Sequence, residues 1–116
     1  MTTDERGHTG RLLPGRKADL VDLVSYGESS VVSRTIISSK AGTVTLFAFD
    51  QGSELSEHTA PYDALLHVLE GKAEVTVEGE ASSLGHGEAI ILPAGKSHAI
   101  RALSRFKMLL TMVRTG

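Results

Sequence analysis

The chain has 116 residues, no cysteine and a net charge of −2 with both signs scattered along it. That length suits one domain around one core, and the absence of thiols excludes disulfides and leaves imidazole and carboxylate as the strong metal donors. There is no basic footprint for nucleic acid and no run near the roughly 18 apolar residues of a membrane helix, so a cytoplasmic protein with a small-molecule partner is expected.

In chain order, residues 1–17 are polar, glycine-bearing and without periodicity. They are expected to form a flexible N-terminal arm ahead of a single domain over 18–116. Residues 43–49 are rich in β-branched and aromatic side chains and suit a half-exposed strand. Residues 73–78 alternate, with Val75 and Val77 on one face and Glu74, Thr76 and Glu78 on the other, which is the period of a sheet. Gly71-Lys72 and Gly79-Glu80 are expected to turn the chain on either side. Residues 89–92 form a short apolar strand stopped by Pro93, and 106–113 form the last strand. Helix competes for 18–24 and 103–113, where Leu103, Phe106, Leu110 and Met112 can also share a helical face. Many short strands between glycine and proline turns point to an all-β sandwich or barrel.

Two stretches share a recognisable frame. Gly52, His58 and Gly71 keep the spacing of one motif, and Gly87, Pro93, Gly95 and His98 that of a second. Together they resemble the paired motifs of the cupin superfamily, in its small single-domain, RmlC-like form. The family's first motif runs from Gly to His-x-His, then Glu and Gly, and its second runs Gly, Pro-x-Gly, His and Asn. Here Ala60 stands at the second histidine, Ala64 at the glutamate and Ala102 at the asparagine. The resemblance covers roughly residues 40–113. It implies a double-stranded β-helix, or jelly roll, with both motifs opening into the barrel. It also implies a homodimer in which the segment 18–38 packs on the second subunit.

A metal centre of this family gathers three imidazoles and a carboxylate. Of that set His58 and His98 remain, a weak pair for one divalent transition metal ion, with Asp63, beyond the strand-breaking Pro61, and Glu57 as candidate helpers. Alternatively the two histidines are satisfied by water or by each other. Either way alanines in place of an imidazole and a carboxylate should enlarge an apolar pocket, lined by Ala60, Asp63, Ala64, Leu66, Met108 and Met112. Met108, Leu110 and Met112 share one face of the last strand, as core packing or as an adaptable pocket wall. His67 is expected to point out of the barrel and His86 to lie solvated in a turn. The glycines match no phosphate-binding pattern, and Ser97 and His98, as strand neighbours, face opposite ways. Two functions are therefore weighed. A module that binds or senses a small molecule is preferred; the alternative is a metal-dependent enzyme of dioxygenase, isomerase or lyase type using His58 and His98.

Overall fold

The β-branched and aliphatic runs fold as antiparallel strands in a computed structural model that describes residues 14–114. The strands are β1 (Val31–Ser39), β2 (Gly42–Phe49), β3 (Glu54–His58), β4 (Asp63–Glu70), β5 (Ala73–Val77), β6 (Glu80–Leu84), β7 (Ala89–Leu92), β8 (His98–Ala102) and β9 (Phe106–Val113). They build a five-stranded sheet in the order β1-β2-β9-β4-β7 and a four-stranded sheet in the order β3-β8-β5-β6. The two face each other as the expected jelly-roll barrel. Most of the expected arm, residues 1–13, lies outside the described residues.

Side-chain alternation drives each strand to bury one face. Ala73 and Val75 on β5, Leu66 and Val68 on β4, and Phe106 and Met108 on β9 are all wholly buried. They meet Phe49, whose ring stacks on that of Phe106 at 4.5 Å. Met108 is therefore a core residue rather than a wall of open space. The competing helix over 103–113 is not formed, because β9 hydrogen-bonds to β2 on one edge and to β4 on the other. A helix there would leave both neighbours unpaired.

Over 18–24 the competing helix is partly realised as a single 3-10 turn, Leu20–Leu23. Leu23 and Val24 bury themselves on Leu46 and Ala48, on the outer face of the five-stranded sheet. Polar contacts hold the segment there. Arg34 Nη1 donates to the Leu23 carbonyl at 2.9 Å, Tyr26 Oη donates to Glu70 Oε2 at 2.6 Å, and the buried Lys107 Nζ donates to the Val21 carbonyl. Burial, and then the Glu70 carboxylate, hold the Tyr26 phenol well above its ordinary pKa. The turn covers its own sheet, and β1 pairs with its own β2. It does so because the outward face of β2 is itself apolar and needs cover.

The cover is incomplete. Beyond the turn, Ile37, Val44, Thr111, Leu65 and Ile91 stand in one cross-strand row over the full width of the sheet. Ile37, Leu65 and Ile91 are 58%, 44% and 62% exposed.

Two turns fix the ends of β5, the one after it lying at the barrel mouth. Between β5 and β6 the two-residue loop is Glu78-Gly79, one position earlier than expected, with φ of 49° and 83°. Two successive positive angles match the right-handed twist of a tight hairpin. At Gly71, φ is 81°, and a Cβ would stand 1.9 Å from the Arg105 carbonyl oxygen, so both angle and space demand glycine.

Candidate functional site

His98 opens β8 after a loop that is fastened on three sides. Gly95 N donates to the Ala60 carbonyl at 2.8 Å, Ala94 N to Asp63 Oδ1 at 2.8 Å, and Glu78 N to the Ser97 carbonyl at 2.9 Å. So fixed, the loop delivers His98 into the row that continues with Ile100 and Ala102, all three buried against the barrel interior.

His58 reaches the same place through an irregularity. On β3, Glu54 and Leu55 pair with Arg101 and Ile100, and the next registered pair is His58 with His98. Three steps along β3 thus match two along β8, which is a β-bulge at Ser56-Glu57. Leu55 packs against the core, so an unbulged strand would place Glu57, two residues on, beside His98. The extra residue puts His58 there instead and turns Glu57 to a cleft on the outer side of the sheet, beside Glu54, Glu74 and Arg101.

The imidazoles meet edge to face, with ring centroids 4.3 Å apart at 69°. His58 Nδ1 lies 2.8 Å from the Ser56 carbonyl oxygen, an acceptor, so that nitrogen carries the proton. Its Nε2 is then a lone pair, and His98 Nε2, 3.1 Å away, donates to it. His98 Nδ1 is buried without a well-formed hydrogen bond, its nearest backbone partner being Lys96. His98 is 6% exposed, whereas His58 stands at the open rim. Burial, and then the neighbouring His58, hold the His98 pKa below the ordinary imidazole value.

The sign of that shift sets a pH dependence. Above the ordinary imidazole pKa, near 6.5, His98 is neutral folded and unfolded, and its contribution is fully present. As pH falls from there through the lower folded pKa, the unfolded chain takes the proton first and stability is lost. Urea unfolding at pH 8.0, 6.5 and 5.0 should show this loss, and His98→Gln should flatten the step. An unchanged step in the variant would assign it to another group.

The other expected site residues separate. Ala64 is buried at the inward end of β4, with Leu66 beside it in the core. Ala60 lies in the loop before β4, held through its carbonyl, and Met112 is half-buried opposite Ala64. Asp63 does not join the histidines: it is exposed, and its carboxylate is spent on the Ala94 amide. It caps the loop because it precedes the inward Ala64 by one residue and so faces the other way. Glu57 is turned away by the bulge. His67 faces outward from β4, half-buried, and His86 is exposed in the turn before β7, as expected. One residue was missed. Val77 pairs with His98 on one side and with Glu80 on the other, so Glu80, Val77, His98 and His58 form one inward row. The parity of Glu80 with the buried Leu84 carries that signal in the sequence.

The family's metal centre can be tested against these donors. Among the described residues no group of three or more histidines, acids or cysteines is placed to hold an ion. Two converging imidazoles with methyl groups at 60 and 64 do not fit a resident four-ligand site.

An antiparallel jelly roll with an imidazole pair inside one mouth defines a class of barrel, and comparison with known proteins gives the family. The Cupin domain model matches residues 45–114. The chain belongs to that family. It is 31% identical over 101 residues to an uncharacterized protein of Aquifex aeolicus (strain VF5), covering 85% of this chain and 84% of that one. Among solved structures, a conserved protein of unknown function from Streptococcus pyogenes superposes with a TM-score of 0.86 at 30% identity, covering 97% of this chain and 99% of that one. A cupin superfamily protein from Desulfitobacterium hafniense gives 0.85 at 29% identity, covering 94% of this chain and all, 100%, of its own.

Proposed function

We propose that this cupin barrel binds a small molecule at its mouth, over the row formed by His58, His98, Val77 and Glu80, without a resident metal ion. The observation that carries this reading is the pairing of His98 with His58 together with the unpartnered Nδ1 of His98. A buried ring nitrogen without a well-formed hydrogen bond is retained against its cost more readily where something else partners it. Around it the wall is apolar, with Val77, Ile90 and Leu110 packed on the core, and a few converging polar groups in an apolar concavity are the usual form of a small-molecule site. A cleft of about 570 Å³ opens beside this row, lined by Val77, Glu78, Glu80, Ser82 and Ile90. A larger one of about 750 Å³ lies on the outer surface, between Lys17–Val21 and Leu69 with His86, away from both histidines. We place the function at the former, because its wall includes Val77, the strand partner of His98.

A metal-dependent enzyme is the second reading, favoured by the fixed tautomer of His58, which leaves two Nε2 atoms facing each other. Metal analysis of untagged protein, with calorimetric titration of Zn²⁺ and Ni²⁺, separates the two. The binding reading expects no stoichiometric metal and at most weak uptake. A tightly held equivalent that His58→Ala and His98→Ala both abolish would replace it with the enzyme reading. The bare apolar row across the outer sheet supports a further proposal, that two copies pair there as a homodimer.

A further inference from the structure

Among the described residues, the large hydrophobic side chains that stand exposed all lie on one surface, the outer face of the five-stranded sheet. Ile37, Leu65 and Ile91 belong to the uncharged row that they form with Val44 and Thr111, and Val113, also exposed, stands in the next row beside Gly42 and Asp63. An exposed apolar strip without charge has the composition of an interface core. The other half of the face is occupied. There Leu23 and Val24 sit on Leu46, Leu109 and Ala48, one and two rows further along the strands.

A straight row is self-complementary, since a two-fold axis lying beside it folds it onto a second copy of itself. Two such axes exist. One parallel to the strands, through the central β9, would stack turn on turn and hold the sheets further apart than the roughly 10 Å of packed sheets. One along the row sends each turn to the side that the other copy leaves bare. From this arrangement we infer that two copies pack face to face about a two-fold axis along the row Ile37 to Ile91. Each turn Leu20–Leu23 then seats over Gly42 and Val113 of the second copy. Size points the same way. Strands about 4.8 Å apart and two rows about 7 Å apart give a bare strip of roughly 24 by 14 Å, about 340 Å² in plan, well short of the about 800 Å² per partner of a stable pair. The reciprocal turns add contact where the strip alone is too small, and they cover Val113. The inference rests on the homodimer proposal above and fixes its geometry.

The chain has no cysteine, so single cysteines report the geometry without background. Ile37→Cys and Ile91→Cys, both at exposed positions at the two ends of the row, are oxidised in the full-length protein, each alone and as a mixture. An axis along the row sets each position against itself, so each variant alone is expected to form a covalent dimer. Ser83→Cys, exposed on the other sheet, should form none. Crosslinking only in the mixture, or in no sample, would overturn this geometry while leaving the row as an interface. Leu65→Lys, also at an exposed position, separates the two readings: it should sediment as a monomer where wild type sediments as a dimer, with its far-ultraviolet circular dichroism unchanged. A Leu65→Lys variant that sediments as wild type does would overturn the homodimer proposal together with its geometry. A wild-type monomer would do the same. If its Ile91→Cys thiol then reacted with maleimide only after deletion of residues 1–13, the row would belong to the chain's own N-terminus.

Discussion

Replacing Ala60 by histidine and Ala64 by glutamate together is expected to create a tight divalent metal site where wild type has a weak one or none. Half of the site is already built: His58 has its tautomer fixed by the Ser56 carbonyl, and its Nε2 lies 3.1 Å from that of His98. Position 64 is an inward, buried position on β4, and position 60 is held near the same end by its hydrogen bond to Gly95. An added imidazole and carboxylate would raise the protein ligands from two to four, the usual complement for a zinc- or nickel-sized ion. Affinity for Zn²⁺ or Ni²⁺, measured by calorimetry, should rise roughly a hundredfold or more, by analogy with the 10- to 100-fold effect of even outer partners. Binding should weaken as pH drops through about 6.5, where imidazole takes up a proton and ceases to be a ligand. A double variant that is folded yet binds no better than wild type would show that 60 and 64 do not face the histidines.

The second large effect is on stability. Phe106→Ala should cost about 3–5 kcal/mol, the range for a large aromatic removed from a core. Phe106 is wholly buried, stacks on Phe49 at 4.5 Å and 20°, and opens β9, which joins β2 to β4 in the larger sheet. Truncation would empty space that neither neighbour can refill without moving a central strand. Against a total stability of roughly 5–15 kcal/mol, the variant should unfold at much lower urea, or fail to accumulate. A loss below about 1 kcal/mol, the scale of an exposed contact, would contradict the packing described.

The fold was legible because its signals are local. The alternation across Val75 and Val77, the stop at Pro93 and the glycines at most reversals act within a few residues, and the strands follow them closely. The two histidines were legible through motif spacing. The site was less so, because its geometry depends on relations between strands. Asp63, a candidate helper only if it swung inward, caps the loop at Ala94, a bond between residues 31 apart in the chain. Glu80 reads as a turn acid until Val77 is seen to pair with both it and His98. The turn Leu20–Leu23 was ambiguous for the same reason, since what holds it is the outer face of another element.

The bulge in β3 bears on how such a barrel diversifies. In most pockets a change of chemistry takes a substitution at the wall, and each substitution is tested against packing on the spot. Here the residue beside His98 is selected by a count: with one residue more than a straight strand would use, the chain presents His58, and without that offset it would present Glu57. A small insertion or deletion in an exposed edge strand, where length variation is cheap, could therefore exchange a base for an acid inside the barrel while every other interior residue stays the same. Relatives that differ only in the length of this segment could carry different pocket chemistry under nearly identical walls.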